Sequence, residues 1–406
     1  MSKVFSAVLL TSLGLFTHGA SADAVLDWND VTLAEVTASG QLPPDGARTM
    51  AMVHVAVFDA LNAIDRRYEP VALPERGPEG ASTDAAVASA SYTVLAALFP
   101  SRAQRLAESY AAALARVPDG HAKHAGIELG VRAAHACLEL RAGDGTGAPN
   151  RYAPQTSAGV YVPTSLPVSS EWPDVEPWSM QSGAQFRPAP PPKLTSDVWA
   201  RDLAEVERLG AKDSKERSAA QTEAARFWSI TGPAAWNPVV RSLASSRPMS
   251  AVERARLFAL ANVAAMDSFV AVFDAKYAYA FWRPITAIRR ADIDGNDATD
   301  IAPTWLPLLE TPLHPEYPCA HCISSAAVGA VLEAEFGTGE VPVISMTSAA
   351  VPGVVHRWTR IGDYVEEVSG ARIFAGVHYR NSAEVGEAMG RSIARQTVAT
   401  LMRPQR

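Results

Sequence analysis

The chain is short of cysteine, of surplus basic charge and of repetition. Three cysteines in 406 residues exclude a small fold held together by disulfides. A net charge of -7, from 36 Lys and Arg against 43 Asp and Glu, and no long basic run argue against nucleic acid as the main partner. Beyond the N-terminus no apolar stretch reads as long enough to span a membrane, so no membrane span is expected. No period of solenoid type shows. What is present is length and apolar content, 48% hydrophobic, ample for a large core.

At the N-terminus Lys3 precedes an apolar run from Val4 to Phe16, and Ala20-Ser21-Ala22 offers small residues before Asp23. This pattern reads as a secretory signal peptide over 1–22, cleaved near Ala22/Asp23, with the mature chain periplasmic or secreted. In an oxidising place the simplest cysteine arithmetic is one disulfide and one free thiol, drawn from Cys137, Cys319 and Cys322, with the pair left open. No βαβ pattern surrounds the C-x-x-C at Cys319 and Cys322, which removes a thioredoxin-like role. A zinc site from Cys319, His321 and Cys322 lacks a second cluster of ligands. A cysteine-phosphatase loop would need an arginine six positions on, where Ser325 and Val328 stand.

Residues 23–142 read as an alanine-rich helical region. His54 lies in a segment apolar nearly all round and reads as a core residue, and His124 and His135 as solvated or packing residues. Residues 143–194 are rich in Pro and Gly, yet Tyr152, Tyr161, Trp172, Trp178 and Phe186 argue for an ordered strap across the helices rather than a linker. Residues 195–406 read as a second helical bundle. In it Ser250-Ala251-Val252-Glu253 opens, by a capping box, a helix expected to run to Pro284. Lys276 and Arg283 would then share one face about 10 Å apart along the axis, with Asp267 and Asp274 as supporting partners or an outer face. Asp292 to Asp297 reads as a surface turn, and 341–347 as the only short strand.

The chemistry gathers at Pro315-Glu316-Tyr317-Pro318-Cys319-Ala320-His321-Cys322. Pro318 suits the first turn of a helix that Gly337 stops. A helix start presents unpaired N–H groups and partial positive charge, a natural seat for an oxyanion. His321 stands on its rim. Further on, Gly376 lets the chain turn so that Arg372 and His378 face one point. Fixed cations, a helix tip and two histidines suit a tetrahedral oxyanion passing through a five-coordinate state.

K-x6-R-P (Lys276 to Pro284), P-C-A-H (Pro318 to His321) and R-x5-H (Arg372 to His378), in this order, resemble the three-part signature of the vanadium-dependent haloperoxidase and type 2 phosphatidic acid phosphatase superfamily. The resemblance implies an all-α fold of two packed helical bundles, with the oxyanion site in the C-terminal one. It implies that Lys276, Arg283 and Arg372, with Cys319 and Ala320 at the helix tip, hold vanadate or phosphate. His378 would be the axial ligand to vanadium, or the phosphorylated nucleophile of a phosphatase, and His321 the acid–base group. Three positions depart from the pattern. Cys319 replaces serine, Ala320 replaces glycine, and Ser382 stands where an aspartate usually orients the axial histidine. Three readings follow: a vanadate-dependent haloperoxidase acting on hydrogen peroxide and halide; a metal-free acid phosphatase acting on a phosphate ester through phosphohistidine; and an oxyanion-binding protein with weakened catalysis.

Overall fold

The computed structural model describes residues 23–150 and 152–405, so the signal-peptide expectation for residues 1–22 lies outside the described residues. Asp23 caps α1 (Ala24–Ser39) by accepting from the Leu26 amide at 3.1 Å, and Gly40 ends it in the left-handed region. Prolines open α2 (Pro43–Ile64), which is buried along nearly its whole length. α3 (Thr83–Leu98), α4 (Ala103–Ala115) and α5 (His121–Leu140) complete the N-terminal group. His54 is a core residue: its Nε2 lies 3.1 Å from Asn29 Oδ1, its ring stacks on Phe258, and burial lowers its pKa to about 3. His124 and His135 are exposed.

The second group comprises α6 (Asp197–Gly210), α7 (Ala219–Phe227), α8 (Asn237–Ala244), α9 (Ala251–Tyr279), α10 (Pro284–Arg289), α11 (Ala320–Phe336), α12 (Ile361–Phe374) and α13 (Arg380–Thr400). The capping box at Ser250 and Glu253 opens α9 as the sequence requires. α9 packs against α2 on one side and against α11 and α13 on the other, and a single apolar core runs through both helix groups. The fold is all-α apart from a small hairpin. The sequence shows one strand, but β1 (Ile344–Thr347) pairs antiparallel with β2 (Val355–Trp358). The second strand carries polar His356 and Arg357, which hid it. The expectation that no stretch beyond the N-terminus is long and apolar enough for a membrane span fails by length and composition alone. Among the described residues α9 alone is long and apolar enough, and its whole apolar window is buried inside the protein.

α9 stops four residues short of Pro284. Ala280 takes a left-handed conformation, φ 45°, and Arg283 is extended because the ring of Pro284 disfavours the helical region for the residue before it. Phe281 then pairs with Val160 of the strap. Asp267 and Asp274 prove to be the strap's anchors. Asp267 accepts from the amides of Trp178 (2.7 Å) and Ser179 (2.8 Å), and Asp274 holds Arg187 through both oxygens at 2.7 Å. Trp172 of the strap is itself fully buried. The turn at Asp292 to Asp297 is not wholly superficial, since Asp294 is buried and accepts from the Trp199 indole at 2.9 Å.

Two contacts set α13 and the residues at its start against α11 and its cap. Cys319 donates its amide to the Ser382 carbonyl at 3.1 Å. Gly390 brings α13 onto α11 so closely that a Cβ there would lie 2.2 Å from the Ile323 carbonyl oxygen.

Candidate active site

The helix tip is braced from α9. Lys276, fully buried, donates to the carbonyls of Pro315 (3.0 Å), Glu316 (2.7 Å) and Pro318 (2.5 Å). Its three protons thus hold the loop that leads into α11. α11 begins at Ala320 with Cys319 as its cap, so Pro318 lies just before the helix rather than in its first turn. The amides of Ala320 and His321 have no carbonyl partner within the helix.

Arg283 reaches the same place from the loop after α9, not from a shared helical face. Its Nε donates to the His314 carbonyl (2.9 Å) and its Nη1 to the Val377 carbonyl (2.8 Å), while Nη1 also lies 3.3 Å from His378 Nε2. Arg372, in the last turn of α12, donates from Nη1 to the Trp228 carbonyl at 2.9 Å. Its buried Nε finds no partner among the described residues. Gly376, at φ 78°, makes the turn from Arg372 to His378, as the sequence suggests, and a Cβ there would meet the Gly210 carbonyl oxygen at 2.4 Å.

The carboxylate partner of His378 is Glu316. His378 Nδ1 lies 2.7 Å from Glu316 Oε1, which also accepts from the Tyr379 amide at 3.2 Å. Assigning Nδ1 as the donor leaves Nε2 as a lone pair beside Arg283. Ser382, which replaces the expected aspartate, is buried, and its hydroxyl makes no hydrogen bond of good geometry among the described residues. Glu316 lies in the loop singled out in the sequence, but nothing local there marks it as the partner of His378. The signal was the missing carboxylate at Ser382, which leaves the histidine needing another buried acid.

Burial and mutual repulsion govern the charges. Burial holds Lys276 well below the usual lysine range, with the Arg283 charge adding to it. It lowers Arg283 to about 10, and lowers Arg372 to about 9 with help from the Arg283 charge. Burial, then Arg283 and Lys276, keep His378 neutral, far below the imidazole range. Burial pushes Glu316 up to about 7, with Lys276 and Arg283 pulling the other way. Three buried basic side chains face one buried carboxylate. Buried charge is stable only when paired; an oxyanion would supply the counter-charge, with Arg372 Nε, partnerless among the described residues, and the helix-tip amides as its donors. By donor chemistry the residues fit vanadate or phosphate equally.

His321 stands beside Arg372 on the floor of a cavity of about 490 Å³. Its Nε2 lies 2.9 Å from the Ile230 carbonyl, which can only accept, so Nε2 carries the proton and Nδ1 is the basic nitrogen. Burial and the Arg372 charge hold it below the usual imidazole range.

Cys319 and Cys322 form a disulfide, and Cys137 is the free cysteine, buried. The position that the resemblance gives to a serine hydroxyl therefore holds a sulfur with no proton to donate, and neither cysteine is a thiolate for zinc. Among the described residues no group of three or more His, Cys, Asp or Glu is placed to hold a metal ion. Burial pushes the Cys137 thiol up to about 12. A thiol reagent is expected to find nothing in the native chain, one thiol after denaturation, and three once a reductant is added. Two thiols without reductant would contradict the disulfide.

The all-α fold thus brings together a buried basic cradle, a carboxylate-held histidine and a second histidine at a helix tip. Residues 256–406 match the family model described as the VCPO second helical-bundle domain. Over 144 residues the chain is 30% identical to the vanadium chloroperoxidase of Curvularia inaequalis, a stretch covering 29% of this chain and 23% of that protein. In that match the chain spans about a quarter of the relative's length. A solved structure described as the first bacterial vanadium-dependent iodoperoxidase superposes with a TM-score of 0.79 at 23% identity, over 94% of this chain and 98% of that one. A holo-type bacterial vanadium-dependent chloroperoxidase superposes with a TM-score of 0.67 at 16% identity, over 93% of each chain. The whole described chain thus has the vanadium haloperoxidase fold, as the sequence resemblance implied.

Proposed function

We propose that the protein is a vanadate-dependent haloperoxidase, oxidising halide with hydrogen peroxide. The observation that carries this reading is the surplus of buried positive charge around His378 Nε2. Arg283, Arg372 and the amide at Ala320 would hold vanadate through its oxygens, and His378 Nε2 would be the protein nitrogen that binds it. Lys276 would act by fixing the Pro315 to Pro318 loop and by its charge. Bound there, vanadate would supply a Lewis-acidic centre that activates hydrogen peroxide toward halide. Glu316 would keep the His378 proton on Nδ1 and so keep Nε2 free. His321 Nδ1 would accept and return a proton at the floor of the cavity. The name of the Curvularia relative and the largely apolar cavity beside the cradle favour this reading over phosphate-ester hydrolysis. The disulfide at the helix tip supports it too, since free thiols there would be oxidised. It also supports the expectation of a periplasmic or secreted protein.

The test compares two activities of the purified chain. With orthovanadate added, bromide-dependent halogenation by hydrogen peroxide is expected, and hydrolysis of an aryl phosphate is not. Hydrolysis that vanadate inhibits, without halogenation, would replace this reading with the phosphohistidine one. Vanadate binding with neither activity would leave an oxyanion-binding protein.

A further inference from the structure

Arg372 and His321 stand on different helices, yet one short stretch of backbone steers both. α7 ends at Phe227 with Trp228 as its cap, and carbonyls at a helix end have no amide partner within the helix. The Trp228 carbonyl accepts from Arg372 Nη1 at 2.9 Å, and the Ile230 carbonyl from His321 Nε2 at 2.9 Å. Among the described residues these are the only hydrogen bonds that the guanidinium and the imidazole make. An arginine held at one point turns with its acceptor, so the place of Trp228 decides where its remaining N–H groups aim.

The stretch is clamped from its far side. Trp228 Nε1 donates to Glu367 Oε1 at 2.8 Å, and the Phe227 carbonyl accepts from the buried Ser348 hydroxyl at 2.8 Å. His356 stacks on Phe227 with centroids 3.9 Å apart, and its Nδ1 lies 2.5 Å from the same Glu367 oxygen. A carboxylate only accepts, so that Nδ1 carries the proton. Trp358 Nε1 donates to Glu367 Oε2 at 2.9 Å. The hairpin, whose turn brings Ser348 and whose β2 brings His356 and Trp358, is the back of this clamp. Glu367 precedes Arg372 on α12, so one helix carries both the arginine and the acid that fixes its acceptor.

We infer that Glu367 is a positioning residue for the anion site: by holding the Trp228 indole it fixes the two carbonyls that aim Arg372 and His321. The inference rests on the proposed function, in which Arg372 holds the anion and His321 moves the proton. Glu367 itself touches neither the cradle nor the anion, and it acts through Trp228 alone.

The test uses two variants and a matched control. Trp228→Phe removes the indole N–H and keeps an aromatic ring. Glu367→Ala removes the carboxylate, whose side chain is 28% exposed, so water can reach the donors it frees. Trp358→Phe is the control: it takes the other indole N–H from the same carboxylate, but Glu367 keeps its bond to Trp228. Equilibrium dialysis against orthovanadate, beside a melting curve for each chain, is the first readout. Binding is expected to weaken about tenfold in Trp228→Phe and in Glu367→Ala, the scale on which loss of an outer partner is felt. In Trp358→Phe it stays as in the unaltered chain, although both tryptophan changes lower the melting temperature. Turnover at saturating vanadate, peroxide and bromide falls in the first two variants only, because His321 is displaced with Arg372. Unchanged affinity in either folded variant overturns the inference, and so does an equal loss in Trp358→Phe, which would mark a packing effect. Each variant decides alone, so failure of one to fold leaves the other to decide. Vanadate binding by the unaltered chain without halogenation overturns the proposed function, while the affinities still decide the role of Glu367. No vanadate binding by the unaltered chain overturns both.

Discussion

Replacing His378 by alanine is expected to lower vanadate-dependent halogenation by about a thousandfold or more, the scale on which loss of a covalent catalytic group is felt. His378 is 1% exposed and its Nδ1 is committed to Glu316, so Nε2 is its one atom available to an anion. Neither neighbouring imidazole replaces it. His321 has its own carbonyl partner at Ile230, and His314 Nδ1 packs 3.0 Å from the Arg283 guanidinium. Turnover with saturating vanadate, measured beside a melting curve, checks this. A folded variant that keeps either halogenation or phosphate-ester hydrolysis would refute the role given to His378.

The second large effect concerns the acid that sequence reasoning overlooked. Glu316→Gln should weaken vanadate binding ten- to a hundredfold, the usual cost of removing the partner that orients a ligating histidine. The amide oxygen of Gln can still accept from His378 Nδ1, but it brings no charge. A structural role alone would show as a lower melting temperature with the affinity intact. Rescue separates the two further. In the Glu316→Gln background, Ser382→Asp restores a carboxylate at the position where the resemblance expects one, and vanadate affinity should recover at least in part. Unchanged affinity in Glu316→Gln would remove Glu316 from the site.

Much of this could be read from the chain before any coordinates. The three-part spacing located both histidines and all the cations, because the spacing of a motif survives changes in the fold around it. What failed was what depends on distant contacts. Glu316 and His378 stand 62 positions apart, and nothing local ties them. Lys276 and Arg283 looked like neighbours on one helix, but the restriction that Pro284 places on Arg283, with the left-handed Ala280, breaks α9 between them. Lys276 therefore braces a loop while Arg283 borders His378. The pairing of Cys319 with Cys322 was open in sequence because all three cysteines were candidates, and burial of Cys137 beside the Met52 carbonyl decides it. The strap was legible from its aromatic rings, yet Asp267 and Asp274, which fasten it, looked the same as any exposed acids on a long helix.

The central claim is that the buried cations around His378 hold one small oxyanion. Equilibrium dialysis of the purified protein against orthovanadate in phosphate-free buffer tests it directly. The account predicts one vanadate per chain, displaced by phosphate and bound at least tenfold more weakly by Arg372→Ala. No saturable binding, or binding that Arg372→Ala leaves untouched, would contradict it.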